Sequence, residues 1–74
     1  MTTKTEEMEQ FKAAMKKRCD ALLFAMIGRE DLCENWWNGP NIAFDLHHPA
    51  DVFEKNPLRV YNYIAGHAAA GGGS

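Results

Sequence analysis

The chain has 74 residues, 46% of them hydrophobic, and a formal charge of −2 at pH 7. Such a length allows one domain, and a core of this size rarely contributes more than about 3–5 kcal/mol of net stability. The slight acidic excess argues against a nucleic-acid partner, because proteins that bind nucleic acid carry a basic surplus. No apolar run approaches the ~18 residues of a membrane span, and the acidic N-terminus does not resemble an export signal, so we expect a cytoplasmic protein without membrane contact.

A long amphipathic helix is predicted over residues 5–27. Thr3 and Glu6 have the spacing of a capping box, and no glycine or proline follows until Gly28. Apolar residues recur every three or four positions, as on one face of a helix, at Met8, Phe11, Met15, Cys19, Leu22, Leu23 and Met26. Because a short chain has little else to bury this face against, we expect a homodimer formed through Met8, Phe11, Met15 and Leu22.

A second, shorter helix is predicted over residues 29–38. Gly39 and Pro40 mark its end, and its apolar positions are Leu32, Cys33, Trp36 and Trp37. Adjacent helical residues are about 100° apart, so the two tryptophans cannot face the same way. We expect Trp37 to lie at an interface and Trp36 to lie in the core, together with Leu32, Phe44, Val52, Val60 and Ile64.

An ordered connection is predicted over residues 41–48. Four of its residues are too apolar to project into water, and we expect them to fold back over the first two helices: Ile42, Ala43, Phe44 and Leu46. Pro49 then opens a short helical turn, predicted over residues 50–53.

The last helix is predicted over residues 57–65. Asn56 and Pro57 fit an N-cap and a first helical position, and Gly66 fits a helix end. Residues 67–74 are rich in alanine and glycine and are predicted to form a flexible tail. No segment alternates as a strand does, so the predicted fold is all-α. It comprises one long N-terminal helix followed by three shorter helices, in a single domain over residues 1–66.

Neither catalysis nor metal binding is predicted. Cys19 and Cys33 stand fourteen positions apart, whereas structural zinc sites bring their ligands in close pairs, so a site completed by His47 and His48 is not expected. A cysteine nucleophile assisted by a histidine and Asp45 would lack a glycine-rich elbow or an oxyanion loop. We therefore expect reduced, partly buried cysteines, no metal, no cofactor and no enzymatic activity.

Aromatic, amide and imidazole side chains concentrate in the connection and the last helix. Aromatic and arginine side chains carry a large share of the binding energy in protein interfaces. We expect a partner protein to contact Trp37, Asn41, Arg59, Tyr63 and His67.

Three short motifs lie within residues 22–66. They are Trp36-x-x-Gly39-Pro40-Asn41-x-Ala43-Phe44, His48-Pro49-x-Asp51-Val52-Phe53 and Arg59-Val60-x-x-Tyr63-Ile64. This pattern resembles the antitoxin Xre/MbcA/ParS-like toxin-binding domain. Members of that family often carry a glycine pair where this chain has Asp45 and Leu46. They also usually carry a DNA-binding helical domain before this one, whereas here one long helix precedes the matching region, so autorepression of an operon is not carried over.

The resemblance implies a small helical module that binds another protein. In the antitoxins the partner is often a RES-type toxin that consumes NAD, and the C-terminal end of the module blocks the active-site entrance. The corresponding segment here is residues 66–74. Two alternatives stay open. One is a phage-encoded inhibitor that binds a host protein. The other is a small nucleic-acid-associated regulator that uses the basic side chains Lys12, Lys16, Lys17 and Arg18, although the net charge argues against it.

Overall fold

The structure is a computed structural model that describes residues 3–72, with side chains through residue 69. It is all-α, as the sequence predicted. In chain order the elements are α1 (Lys4–Ile27), α2 (Glu30–Asn38), a 3₁₀ turn (Ile42–Phe44), α3 (Pro49–Lys55) and α4 (Pro57–Gly72). Within this part of the chain, no helix is both long enough and apolar enough to cross a membrane.

Helix α1 begins and ends at local signals in the sequence. The hydroxyl of Thr3, the N-cap residue, accepts the backbone N–H of Glu6 at 3.1 Å. At the other end Gly28 adopts φ 79°, in the left-handed region, and its N–H donates to the carbonyl of Phe24 at 2.7 Å. The 24 residues between these caps form a helix about 36 Å long. Helices α2 and α4 both pack along it.

The hydrophobic core combines side chains from every helix and from the 3₁₀ turn. Its buried members are Met15, Cys19, Leu23, Cys33, Trp37, Phe44, Val52, Phe53, Val60 and Ile64. Four of these were predicted to pack together in the core, and that prediction is confirmed for Phe44, Val52, Val60 and Ile64. The same prediction is wrong for Leu32, whose side chain on α2 is 41% exposed.

The two tryptophans occupy the reverse of their predicted positions. Trp37 is 4% exposed, whereas Trp36 is half-buried at the margin of the core. Helix α2 faces α1 with Cys33 and Trp37, which are four positions apart and so share one face. The indole N–H of Trp37 then donates to a carboxylate oxygen of Asp20 on α1 at 2.8 Å. A buried indole needs such a partner, and Asp20 provides one for Trp37.

Charged side chains on α1 contact α2 and α3. The ammonium of Lys16 bonds Asp20 at 2.9 Å and lies 4.7 Å from the centroid of the Trp37 ring system. One turn earlier, the Lys12 ammonium donates to the backbone carbonyl of Glu54 at 2.7 Å and to its carboxylate at 3.2 Å. These contacts hold α2 and the end of α3 against the middle of α1.

Helix α4 continues beyond its predicted end. Gly66 was expected to terminate it, but the helix runs from Pro57 to Gly72, so the predicted helix end is wrong and residues 67–72, which were assigned to the tail, are helical. Beyond the local helix backbone, no atom lies within 4 Å of the place that a Cβ would occupy at Gly66, so nothing packs there to divert the chain. A single glycine costs a helix only about 1 kcal/mol, and the alanines after it favour helix. Residues 73–74 lie outside the described residues.

The fold leaves part of the predicted self-association face exposed and buries the rest. Met8 and Phe11 are 54% and 42% exposed, near the start of α1. Met15 is 6% exposed, and Leu22 is half-buried against the core. Met15 therefore cannot contribute to a dimer surface, because α1 buries it within its own chain. That part of the prediction is wrong.

Candidate protein-binding surface

A closed loop spans residues 41–48, between α2 and α3. The N–H of Leu46 donates to the carbonyl of Asn41 at 2.9 Å, and the N–H of Asn41 donates to the carbonyl of His47 at 3.2 Å. Inside the loop the Asn41 side chain accepts the N–H of Ala43 at 2.9 Å, which caps the 3₁₀ turn. Phe44, at the end of that turn, is 2% exposed and anchors the loop in the core. The loop is thus held both by hydrogen bonds and by a buried ring.

Two residues of this loop adopt a backbone conformation that usually belongs to glycine. Asp45 and Leu46 have φ values of 56° and 67°, and they are the non-glycine residues with positive φ among those described. Aspartate tolerates the left-handed region, but a leucine there is uncommon and costs on the order of 1–2 kcal/mol. Such strain persists where the surrounding contacts determine the conformation, as the hydrogen bonds of this loop do.

The loop projects aliphatic side chains into solvent. Ile42 is 85% exposed and Leu46 is 64% exposed, whereas Phe44 between them points into the core. The expectation that the apolar residues of the loop fold back over the helices is therefore confirmed for Phe44 and wrong for Ile42, Ala43 and Leu46, which are exposed. The tight turn explains the difference, because it allows one of these four side chains to reach the core.

A stripe of α4 lies beside this loop. Arg59, Tyr63 and His67 recur every four residues and so share one face of the helix. The Arg59 guanidinium lies 5.3 Å from the centroid of the Phe44 ring, and the centroid of the Tyr63 ring lies 5.1 Å from that same Phe44 centroid. Tyr63 also contacts the imidazole of His67, with centroids 4.4 Å apart. We use the name loop–α4 face for these three side chains together with Ile42 and Leu46, the exposed residues of the adjoining loop.

Trp36 completes the packing beneath this face. Its ring stacks on that of Tyr63 with centroids 6.4 Å apart and planes 20° apart, and it meets Phe44 edge-on at 6.5 Å. Aromatic pairs in these geometries contribute about 0.5–1.5 kcal/mol beyond the area they bury. The rings of Trp36, Phe44 and Tyr63 therefore form a rigid support that fixes the loop relative to α4.

The structure brings together four of the five predicted partner-contacting residues. Arg59, Tyr63 and His67 form the stripe, and Asn41 closes the adjoining loop. Trp37 does not join them, since its ring is buried against Phe53 and α1. The sequence reasoning missed Ile42 and Leu46.

The groove between α1 and α2 has a volume of about 580 Å³, and two of the charged side chains that line it, Lys16 and Asp20, already have partners. Lys16 and Asp20 bond each other, and Asp20 also accepts the Trp37 indole N–H. Cys33 also lines the groove. It is a free cysteine, and the residue is 8% exposed. These side chains hold α2 on α1, and they show no nucleophile paired with a base.

Both cysteines are free and buried. Burial is the main cause that raises the pKa of the Cys19 thiol from 9.0 to about 11, and the adjacent Asp20 carboxylate raises it further against the opposing effect of Lys16. A thiol with a raised pKa is a poor nucleophile and a poor metal ligand at neutral pH. Among the residues with described side chains, no three histidine, cysteine or acidic groups come close enough together to hold a metal ion.

Comparisons with protein-family models, with curated proteins and with solved structures give no match for this chain.

Proposed function

We propose that this chain is a non-catalytic protein-binding module that contacts its partner through the loop–α4 face. The observation that carries the proposal is the pair of exposed aliphatic side chains, Ile42 and Leu46, on a loop held in a strained conformation. An exposed isoleucine and leucine on a rigid loop gain binding energy when a partner covers them. Exposed apolar groups on ordered loops are typical of recognition surfaces.

The energetics favour such a role. Burying two aliphatic side chains that are exposed in the free protein contributes about 3–6 kcal/mol, at 1.5–3 kcal/mol for each. The loop is already ordered by its backbone hydrogen bonds, so binding does not have to order it, and this lowers the entropic cost of association. Arg59 at the edge of the face adds a side chain that can bind a carboxylate of the partner with two hydrogen bonds.

For the partner, we propose an enzyme of the class that the family resemblance implies, a RES-type toxin that consumes NAD. The proposal is supported by the positive φ angles of Asp45 and Leu46, because these are the positions where the family often has a glycine pair. The all-α architecture agrees with the same expectation. In this proposal the end of α4, helical through Gly72, projects towards the active-site entrance of the toxin. A host protein that a phage-encoded inhibitor binds is the alternative partner, and the same face would contact it.

We also propose that the chain forms a homodimer through α1. Met8 and Phe11 favour this, since both are large, apolar and about half exposed in the isolated chain. Methionine and aromatic side chains are enriched in interfaces. The proposal no longer includes Met15, and Leu22 could contribute only its exposed edge.

The test of partner binding is affinity capture with matched baits. The wild-type chain, the double variant Ile42→Ser/Leu46→Ser and the control Leu32→Ser are immobilised and exposed to lysate of the encoding organism. Leu32 is a suitable control because it is an exposed leucine on α2, outside the loop–α4 face. Circular dichroism first establishes that all three baits keep the same helical content.

We expect a protein that the wild type and the control retain and the double variant loses. The eluate is then assayed for NAD consumption, which added wild-type chain should suppress if the partner is a toxin of the proposed class. A retained partner without NAD turnover would favour the host-protein alternative. Equal capture by all three baits would place the interface outside the loop.

A further inference from the structure

An exposed stripe of α1 has a pattern that is complementary to itself. Its members follow the three- and four-residue spacing of one helix face and lie outside the buried side of α1; they are Lys4, Glu7, Phe11, Ala14, Arg18 and Ala21. Every one of them is exposed, and Phe11 is 42% exposed. The stripe carries a negative charge at Glu7 and a positive charge at Arg18, with apolar residues between them.

A second copy of this stripe fits the first when the two helices run in opposite directions. With a two-fold axis between Lys12 and Ala13, Phe11 of each chain faces Ala14 of the other, and a small residue leaves room for a ring. The same axis places Glu7 of one chain opposite Arg18 of the other. Both pairs share this one axis, as an isologous dimer requires.

Charge separates the antiparallel arrangement from the parallel one. In a parallel pair Glu7 would face Glu7, and Arg18 would face Arg18, so both contacts would be repulsive. In the antiparallel pair the same side chains form two opposite-charge contacts. Arg18 has no salt-bridge partner among the described residues. Glu7 already has an interaction within its own chain, but a carboxylate offers about four acceptor positions, so it can accept Arg18 in addition.

We propose that the homodimer is an antiparallel pairing of α1 helices about this axis, with Glu7 bound to Arg18 and Phe11 packed on Ala14 across the interface. This inference rests on the proposed self-association through α1 and specifies its geometry: Phe11 stays in the interface, and Met8 lies outside the paired stripe. The loop–α4 face lies on elements other than α1, so a dimer presents two copies of that face to partners.

Charge reversal tests the geometry directly. The single variants Glu7→Arg and Arg18→Glu each replace two attractive contacts per dimer by two repulsive ones. Within one chain the two residues are about 16 Å apart along the helix, too far to pair, so any rescue between them must act across an interface. The matched controls are Glu6→Arg and Lys17→Glu, which make the same charge changes one position away, off the stripe. Sedimentation equilibrium and native mass spectrometry measure the dimer dissociation constant.

We expect each single reversal to weaken the dimer about tenfold or more, and the controls to change it less than about threefold. An equimolar mixture of the two single variants should restore a heterodimer to within about threefold of wild-type affinity, as should the double variant Glu7→Arg/Arg18→Glu. Phe11→Ser should weaken the dimer without rescue by either change. Circular dichroism of each variant establishes that the monomer fold is retained.

Two failures are distinguishable. A wild-type chain that stays monomeric up to about 1 mM would overturn both the self-association and its geometry, leaving the partner-binding proposal to its own test. A wild-type dimer in which mixing the two single variants brings no rescue would leave self-association standing and overturn the antiparallel pairing.

Discussion

Replacing Trp37 by alanine should unfold the chain, whereas the same change at Trp36 should not. Trp37 is 4% exposed, its indole N–H donates to Asp20 at 2.8 Å, and its ring meets Phe53 edge-on at 5.5 Å. The Lys16 ammonium lies 4.7 Å from the ring centroid. This one side chain therefore joins α2 to α1 and to α3.

The magnitude follows from these contacts. Removing a buried tryptophan side chain costs about 3–5 kcal/mol through lost burial and the cavity it leaves. The cation–π contact adds about 0.5–1 kcal/mol, since Lys16 is partly exposed. The hydrogen bond adds at most about 1 kcal/mol, because Asp20 is partly exposed and water can replace the indole. The total is about 3.5–7 kcal/mol, which is comparable to or larger than the roughly 3–5 kcal/mol that a chain of this size has available.

Trp36→Ala is the matched comparison. Its ring is half-buried and stacks on Tyr63, so we expect a loss of about 2 kcal/mol and a folded chain with Tm lowered by roughly 8–16 °C. Thermal and urea unfolding, followed by circular dichroism, measure both variants, and the remaining tryptophan reports by fluorescence. A folded Trp37→Ala together with an unfolded Trp36→Ala would refute the assignment of Trp37 to the core.

The hydrogen bond can be isolated from the packing. Trp37→Phe keeps an aromatic ring in the core and removes the indole N–H. Measured with and without Asp20→Ala, this change should show a coupling energy of about 1 kcal/mol. Independent, additive effects of the two changes would mean that the bond to Asp20 contributes nothing to stability.

Three further predictions concern backbone conformation and ionisation. Leu46→Gly should raise the free energy of unfolding by about 1 kcal/mol, because glycine accepts a φ of 67° without strain. The same change should weaken partner capture, and an unchanged Tm would argue against strain at that position. Gly66→Ala should stabilise α4 by about 1 kcal/mol and increase the helical circular-dichroism signal, since the site is open and helical; a loss of stability would mean that the helix ends there. The pKa of Cys19 is raised from 9.0 to about 11 in the folded chain, so the folded chain binds the thiol proton more tightly than the unfolded chain does. The free energy of unfolding should therefore be retained below pH 9 and fall between pH 9 and pH 11 by up to about 1.4 kcal/mol per pH unit. Cys19→Ser should remove this part of the slope in urea titrations at several pH values, and an identical slope in the variant would show that other groups cause it.

Signals within a few residues were sufficient to predict most helix boundaries. Thr3 and Glu6 predicted the start of α1, and Gly28 predicted its end, because caps are satisfied by the chain immediately beside them. Asn56 and Pro57 likewise predicted where α4 begins: the Asn56 side chain accepts the N–H of Arg59 at 3.3 Å. The three- and four-residue spacing of apolar side chains also predicted the all-α class, since that period belongs to the helix itself.

Local signals failed where two outcomes had nearly the same local energy. Gly66 fits a helix end, but a glycine within a helix costs only about 1 kcal/mol, and the alanines after it favour helix. In the loop, Ile42, Phe44 and Leu46 are comparably apolar, yet one turn directs Phe44 inward and the other two outward. That choice depends on the backbone hydrogen bonds that close the loop.

The sequence by itself determined the helical class, most of the caps and the order of the elements, and it placed Arg59 and Tyr63 on the last helix. His67 joins them on one helix face only because α4 continues past Gly66. Only the tertiary structure decided which tryptophan is buried. Trp36 and Trp37 are the same residue type at adjacent positions, so the pattern of α2 admits either rotation about its axis. The partner that selects between them, Asp20, is seventeen positions earlier on another helix, and a buried indole is stable where its N–H finds such a carboxylate.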